Sequence, residues 1–159
     1  MILFHGSNQE IIKPDVSFSK KYLDFGKGFY LTSYQEQAEK WALRKTTRLG
    51  GMPIVNVYEL VENFKTYQIC SFETENEPWL DFVCNCRKGE LTYQQFDLVI
   101  GRVANDDIFK TIDMYFNNLW TKEKVLEELR YYKENDQICV INQQIIEKEL
   151  IFLKSYTVT

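Results

Sequence analysis

The spacing of apolar residues changes from one structural period to another along this chain, and this change limits the folds open to it. Ile54 to Leu60 and Phe96 to Gly101 are short runs rich in β-branched and aromatic residues, which predict strands. Trp79, Phe82 and Val83 instead follow a helical spacing. Because strands and helices are mixed without a regular βαβ alternation, the pattern predicts an α+β fold with a mainly antiparallel sheet.

Capping and turn residues mark the ends of the predicted elements. Ser33 and Glu36 have the spacing of a capping box, which predicts a helix that begins there and ends at Gly50-Gly51. Asn76 precedes a second predicted helix, which ends at Gly89. The other predicted elements are a strand from Ile2 to His5, helices that begin at Asn105 and Thr121, strands from Gln137 to Asn142 and from Leu150 to Val158, and a helical turn from Gln143 to Glu147.

Length and composition are those of one ordinary domain. The chain has 159 residues, of which 45% are hydrophobic and 26% charged, so residues 1–159 are expected to form a single domain. The net charge of −4 and the pI near 5.1 argue against a broad nucleic-acid surface. No run has the length of a membrane span, and the N-terminus lacks the basic stretch of a signal peptide. A cytoplasmic protein is expected, with export by a non-classical bacterial route left open.

The cysteines do not have the spacing of a metal site. Four cysteines accompany one histidine, and Cys84 and Cys86 lack the two-residue gap of a zinc knuckle. No metal is therefore predicted, and the thiols are expected to be reduced.

Three short segments place polar or aromatic residues on predicted strands, where a rigid sheet can hold them towards a ligand. They are His5-Gly6-Ser7, Gly26-Lys27-Gly28-Phe29-Tyr30 and Asn135-Asp136-Gln137-Ile138. Taken singly, each has a structural explanation, because a lone histidine at a strand end is usually satisfied within the fold. The Gly26-Lys27-Gly28 turn is shorter than a P-loop and lacks its serine or threonine, which argues against a nucleoside triphosphate. The order of the three segments carries more information than any one of them.

In this order the segments resemble the motifs of the ADP-ribosyltransferase superfamily, in the His–Tyr–Glu branch that includes poly(ADP-ribose) polymerases and diphtheria toxin. HGS resembles its His-Gly motif, FGKGFYLT its tyrosine segment, and NDQICVIN the segment that holds its catalytic glutamate. HGS, DFGKGFYLT, VANDD and the late glutamine also resemble a bacterial family of unknown function in that superfamily, over residues 2–153. The resemblance implies an ADP-ribosyltransferase-like split antiparallel β-sandwich with flanking helices.

The resemblance further implies that NAD is the substrate. Cleavage of its nicotinamide–ribose bond passes through an oxocarbenium-like state, so the site must stabilise positive charge at the anomeric carbon. His5 would bond ribose hydroxyls, the Gly6 backbone would pair with the carboxamide, and Ser7 would add a ribose contact. Tyr30 would stack on the nicotinamide ring.

The resemblance gives four further residues a functional interpretation, and two of them, Lys27 and Trp41, also have a structural one. Gly26 and Gly28 would let the chain turn tightly over the dinucleotide. Lys27 would approach the pyrophosphate, although a solvated surface lysine explains it equally well. Trp41 would form a second aromatic wall, but packing in the core explains it better.

The departure from the family pattern lies at Gln137, where the triad has glutamate. Glutamine keeps a hydrogen bond to the ribose, but it carries no charge and takes no proton. This argues against polymer elongation and leaves two alternatives, namely transfer of a single ADP-ribose and NAD binding without turnover. Asp136 does not easily replace the glutamate, because neighbouring strand residues face opposite ways.

Some residues outside the three segments could assist the site. Asp106 could supply the missing carboxylate, but a first-turn charge of a helix with Asn105 as its N-cap is the preferred interpretation. Arg102 could contact a phosphate, and a plain exposed arginine explains it equally well. Lys45 and Arg48 are interpreted as part of a solvated helix face.

The sequence thus predicts an NAD-dependent mono-ADP-ribosyltransferase acting on a protein or other macromolecular acceptor. From the resemblance alone, a toxin-like role and a small neutralising partner protein are also expected. One alternative is a non-catalytic NAD- or ADP-ribose-binding module, or a component of a toxin–antitoxin-type pair. Another is a small α+β domain that binds protein through its aromatic surface, since aromatic residues make up 15% of the chain.

Overall fold

Two β-sheets and five α-helices make up the part of the chain that the computed structural model describes, residues 1–61, 64–103, 106–129 and 135–159, without the side chains of residues 106, 107 and 109. The strands are β1 (Ile2–Ser7), β2 (Phe29–Leu31), β3 (Ile54–Leu60), β4 (Ile69–Ser71), β5 (Leu98–Gly101), β6 (Gln137–Val140) and β7 (Leu150–Thr157). The helices are α1 (Gln35–Leu49), α2 (Glu77–Lys88), α3 (Asp106–Phe116), α4 (Lys122–Leu129) and α5 (Gln143–Glu149).

The first sheet has the strand order β1-β3-β7 and is antiparallel throughout. The second has the order β2-β6-β5-β4, in which only the β4–β5 pair is parallel among the described strands. The predicted α+β class is confirmed, and antiparallel pairing predominates. The strand expected to end at His5 continues to Ser7, because Gly6 and Ser7 pair with Val55 and Ile54 of β3.

In the described part of the chain, one isolated antiparallel bridge joins the two sheets, between Phe4 of β1 and Thr32, which directly follows β2. Phe4 N–H donates to the Thr32 carbonyl at 2.8 Å, and Thr32 N–H donates to the Phe4 carbonyl at 3.0 Å. His5, the next residue of β1, is linked to β2 through its side chain instead. The bridge therefore brings two predicted site segments together at the junction of the sheets.

Buried side chains place the layers. Leu3 and Leu60 of the first sheet share a core cluster with Leu98 and Ile138 of the second, so the sheets face each other. A separate cluster joins α2, α3 and α4 to the second sheet, and a third joins α1 to β1 and β3. Burial of these apolar faces, at about 25 cal/mol per Å², is the main force that holds the layers together.

The helix ends show which sequence signals determined the structure. Asn76 caps α2, accepting from Trp79 N–H at 3.0 Å, and Gly89 ends it with φ of 89°, both as predicted. The predicted capping box of α1 is wrong, because the N-cap is Tyr34 and it makes no side-chain bond. Ser33 is held by Asp136 instead, whose Oδ1 accepts from Ser33 N–H at 2.8 Å.

None of the helices in the described ranges combines the length and the apolar character required to cross a bilayer.

Candidate functional site

A cavity of about 770 Å³ lies beside the junction of the two sheets. Its walls come from β1, β2 and β6, from one face of α1, and from the segment between β1 and β2. Five of the predicted site residues line it, namely His5, Gly28, Tyr30, Trp41 and Gln137. Residues far apart in sequence thus reach one cavity through the pairing of their strands.

His5 is held at the cavity wall by a bond to the backbone of β2. Its Nδ1 lies 2.7 Å from the Tyr30 carbonyl oxygen, and its ring stacks on Phe29 with 4.5 Å between centroids. Since a carbonyl only accepts, Nδ1 carries the proton and Nε2 is an acceptor. Burial lowers the pKa of His5 to about 4, against the opposing effect of the Tyr30 carbonyl, so the ring is neutral at physiological pH. Among the described residues, Nε2 is shielded from solvent and has no hydrogen-bond partner.

Tyr30 contributes its ring to the cavity and its hydroxyl to the preceding turn. The hydroxyl donates to the Gly26 carbonyl at 2.6 Å and accepts from Phe25 N–H at 3.1 Å. Burial raises the pKa of Tyr30 well above its usual value, with the charge of Asp24 among the further causes. The two bonds close the turn onto the start of β2. They explain why a turn residue and a tyrosine occur so close together in DFGKGFYLT.

Gln137 makes its closest polar contact with a carboxylate. Its Nε2 donates to Asp24 Oδ2 at 3.0 Å and lies 3.5 Å from the Arg102 carbonyl oxygen. Both partners are acceptors, so they fix the amide with nitrogen towards Asp24 and leave Oε1 as its free acceptor end. Gln137 and Asp24 both line the cavity.

Asp24 was not predicted as a site residue. It is 8% exposed and pairs with Arg87 of α2, whose Nε and Nη2 lie 2.9 and 2.5 Å from Oδ1. Asp24 thus places a buried carboxylate one hydrogen bond behind Gln137. Asp24 is the first residue of the DFGKGFYLT motif, which was the only sequence feature that pointed to it. Its contact with Gln137 could not be predicted, because the two residues are 113 positions apart.

The structure gives Gly6 and Gly26 reasons to be glycine other than ligand contact. A Cβ on Gly6 would lie 2.7 Å from the Ala42 nitrogen and closer still to the Ala38 carbonyl oxygen, so glycine lets β1 approach α1. Gly26 has φ of 78°, in the left-handed region, and its Cα faces the ring of Tyr93. Neither Gly6 nor Gly26 is among the residues that line the cavity.

Three other predicted residues lie outside the cavity wall. Ser7 is buried, and its hydroxyl accepts from Lys45 Nζ at 3.2 Å. Lys27 is not a lining residue. Arg102, a candidate phosphate contact or a plain exposed arginine, pairs its guanidinium with Glu75 at 3.1 Å beside a second cavity. Only its carbonyl reaches Gln137, since the residue follows the end of β5.

Two auxiliary predictions fall where the structure gives no contacts. Asn105, the expected N-cap of α3, lies outside the described residues, and Asp106 begins α3 without a described side chain.

The prediction of a solvated face on α1 is wrong for Lys45. Lys45 is half-buried, and it lines the cavity together with Trp41 and Arg48. These three residues follow one another at helical spacing, four and then three positions apart, so they lie on one face of α1. Trp41 therefore lies on the cavity wall, the alternative to the preferred interpretation of core packing, and two cations accompany it.

Within the described ranges, no group of three or more histidine, cysteine, aspartate or glutamate side chains could hold a metal ion. The four cysteines are free, and burial raises the pKa of Cys86 to about 12, so its thiol stays protonated at neutral pH.

Fold and cavity together define a mixed α+β protein of two facing sheets with a candidate ligand cavity at their junction. Residues 1–152 match the family described as "Protein of unknown function (DUF3990)", and the chain belongs to this family. No curated protein and no solved structure matches the chain. The expected membership of a family of unknown function is confirmed, whereas the relationship to ADP-ribosyltransferases stays a prediction.

Proposed function

We propose that this protein is an NAD-dependent mono-ADP-ribosyltransferase with the split β-sandwich of that superfamily. The observation that carries the proposal is that His5, Tyr30 and Gln137, from β1, β2 and β6, line one cavity. The cavity volume of about 770 Å³ is within the range of about 300–1,000 Å³ typical of small-molecule sites. The facing sheets, with helices on their outer sides, are compatible with the proposed fold.

The polar groups of the site suit a ribose. Neutral His5 offers Nε2 as an acceptor that has no donor among the described residues, and a ligand hydroxyl would satisfy it. Gln137 offers Oε1 as a second acceptor, because Asp24 holds its amide nitrogen. The ring of Tyr30 supplies a flat apolar wall for nicotinamide.

The proposed reaction breaks the bond between the nicotinamide nitrogen and the ribose anomeric carbon. The electron pair of that bond leaves with nicotinamide, and a nucleophile of the acceptor then bonds to the anomeric carbon. Gln137 carries no negative charge and takes no proton, so the acceptor must be nucleophilic without its help, and the proton of the attacking group passes to solvent. Asp24 provides a negative charge one hydrogen bond away, partly neutralised by Arg87. A protein acceptor and a small neutralising partner are proposed from the family resemblance.

A second candidate is NAD or ADP-ribose binding without turnover. The observation that favours it is that Gln137 is neutral and its amide nitrogen is already engaged inside the protein. Both candidates require the same ligand contacts and differ only in the release of nicotinamide.

The proposal is tested by calorimetric titration with NAD, followed by chromatography of released nicotinamide with and without a cell lysate. Tyr30→Leu removes ring and hydroxyl, whereas Tyr30→Phe removes only the hydroxyl and serves as its matched control. Tyr30→Leu should abolish NAD binding, and Tyr30→Phe should retain it. Labelled ADP-ribose appearing on a lysate component identifies the transferase. Binding without nicotinamide release in any lysate identifies the binding module, and absence of NAD binding overturns both.

A further inference from the structure

The charged residues that line the cavity differ in how they are paired. Each of its three acidic residues already has a protein partner. Asp24 pairs with Arg87, Asp15 accepts from Ser17 N–H at 2.7 Å, and Glu10 accepts from the Ser155 hydroxyl at 2.5 Å. The cations on the same walls are Lys13, Lys20, Lys45 and Arg48. No carboxylate of the described residues forms an ion pair with any of them.

Two of these cations, Lys20 and Arg48, act electrostatically on a third, Lys45. Lys45 and Arg48 are one turn apart on the cavity face of α1, and Lys20 comes from the segment that covers the cavity. Lys45 is fixed by its bond to Ser7 at 3.2 Å. Burial lowers the pKa of Lys45, and the charges of Lys20 and Arg48 lower it further. Like charges kept this close without a counter-ion repel one another, and an anion between them would remove that repulsion.

Charged residues of opposite sign lie at different places on the cavity wall. The charge of Asp24 acts on Tyr30, whereas the charge of Lys45 acts on His5. Asp24 also contacts Gln137, while Lys45 contacts Ser7, which lies two residues beyond His5 on β1. Asp24, whose charge Arg87 partly neutralises, thus lies beside Gln137, whereas the positive charge of Lys45 lies beside Ser7.

We infer that Lys20, Lys45 and Arg48 form a subsite for the pyrophosphate group of a dinucleotide. Lysine supplies a point charge and arginine a planar set of donors, both suited to phosphate oxygens. The inference rests on the proposed function for the choice of NAD, and it gives that ligand a direction. The pyrophosphate lies beside α1, so the cationic pyridinium of nicotinamide lies towards Tyr30 and Asp24, where negative charge favours it. Lys27, the earlier candidate for the pyrophosphate, is not needed.

Calorimetric titration with ADP-ribose and with adenosine tests this subsite, because only ADP-ribose carries the pyrophosphate. Lys45→Gln removes the charge, and Lys40→Gln is its matched control, since Lys40 is an exposed lysine of α1 that does not line the cavity. Lys45→Gln should weaken ADP-ribose binding about tenfold or more, as loss of a charged hydrogen bond does. Lys40→Gln should leave it within about twofold, as expected for a screened surface charge. Arg48→Gln should repeat the Lys45→Gln result.

The outcomes separate this inference from the proposed function. ADP-ribose binding that depends on Lys45 supports the subsite even if nicotinamide is never released. NAD cleavage with unchanged affinity in both Lys45→Gln and Arg48→Gln overturns the subsite and leaves the transferase intact. Equal losses in Lys45→Gln and Lys40→Gln, or no ADP-ribose binding by the wild type, also overturn it. Unfolding midpoints close to the wild type verify that each variant is folded.

Discussion

Gln137 donates its amide hydrogen to Asp24 across 3.0 Å, so this buried glutamine lies against a buried carboxylate. The amide and the carboxylate are complementary, since Nε2 only donates and Oδ2 only accepts. A glutamate at 137 would instead place two carboxylates at hydrogen-bond distance. Gln137 and Asp24 therefore have to be considered as a pair.

Gln137→Glu is expected to destabilise the protein at alkaline pH rather than to restore a triad. Two buried carboxylates at this distance cannot both ionise easily, so the pair takes up a proton on folding. A group protonated in the folded state and ionised in the unfolded state loses stability as pH rises. We expect a loss of about 3 kcal/mol at about pH 8, in the range found for an uncompensated buried charge, and a smaller loss near pH 5. Urea unfolding at both pH values measures it.

The matched variant is Asp24→Asn with Gln137→Glu, which exchanges the carboxylate and the amide between the two positions. This pair should recover part of the stability lost at alkaline pH, because the new amide can donate to the new carboxylate, while the loss of the Asp24–Arg87 ion pair remains. The double variant also tests, more clearly than the single variant does, whether Gln137→Glu raises NAD cleavage, because no second carboxylate lies against the new one. A single Gln137→Glu variant as stable at pH 8 as the wild type would contradict the contact.

The ion pair of Asp24 with Arg87 predicts non-additive effects on stability. Their side chains are only 10% and 9% exposed, so removing one partner leaves a buried charge without this ion pair. Asp24→Asn or Arg87→Met alone should each cost about 3–5 kcal/mol, and the double variant should cost less than the sum. Chemical denaturation of the four proteins of this double-mutant cycle measures the coupling. Additive losses would show that the two residues act independently.

Short-range signals in the sequence predicted much of the fold. Strand β3 and the ends of α2 lie where their own residues indicated, because Asn76 and Gly89 act on neighbouring backbone groups. The capping box at Ser33 failed for the opposite reason. The pairing of β2 with β6 brings Asp136 to Ser33 from 103 positions away, and a carboxylate there replaces the local partner Glu36.

Individual residues of the site could be predicted from the sequence, but the contacts between them could not. His5, Tyr30 and Gln137 could be found from short motifs, and the structure brings them to one cavity. Asp24 could not be assigned, because only the sheet pairing shows that it meets Gln137. Lys45 was interpreted as a surface lysine, because helical spacing alone does not show that the segment between β1 and β2 forms a cavity with its face of α1.

Gly6→Ala should disrupt the site through the packing of α1. The new methyl would contact the backbone of Ala38 and Ala42, which cannot rotate away, so β1 must move. We expect a loss of stability of about 3 kcal/mol, at the upper end for overpacked cores, together with loss of NAD binding. Gly50→Ala is the control, because its φ of 75° is strained while nothing lies within 4 Å of the new methyl. That variant should lose about 1–3 kcal/mol and keep NAD binding, as calorimetry and thermal unfolding would show.

His5 should make folding stability depend on pH in a way that is easily isolated, because it is the one histidine of the chain. Its pKa falls from 6.5 to about 4 on folding, so between these values the unfolded state binds more protons. Stability contributed by neutral His5 is therefore complete above pH 6.5 and is lost as pH falls towards 4.

His5→Asn keeps a donor for the Tyr30 carbonyl and removes this titration. Between about pH 7.5 and pH 5 the wild type should lose about 2 kcal/mol more than the variant in urea unfolding, because the carboxylates titrate in both and cancel. The imidazole C2 proton resonance of the folded wild type reports the same group directly. A midpoint near 6.5 in that titration would mean that water reaches the ring. It would also contradict the proposal that Nε2 of neutral, buried His5 accepts a hydrogen bond from a ligand hydroxyl.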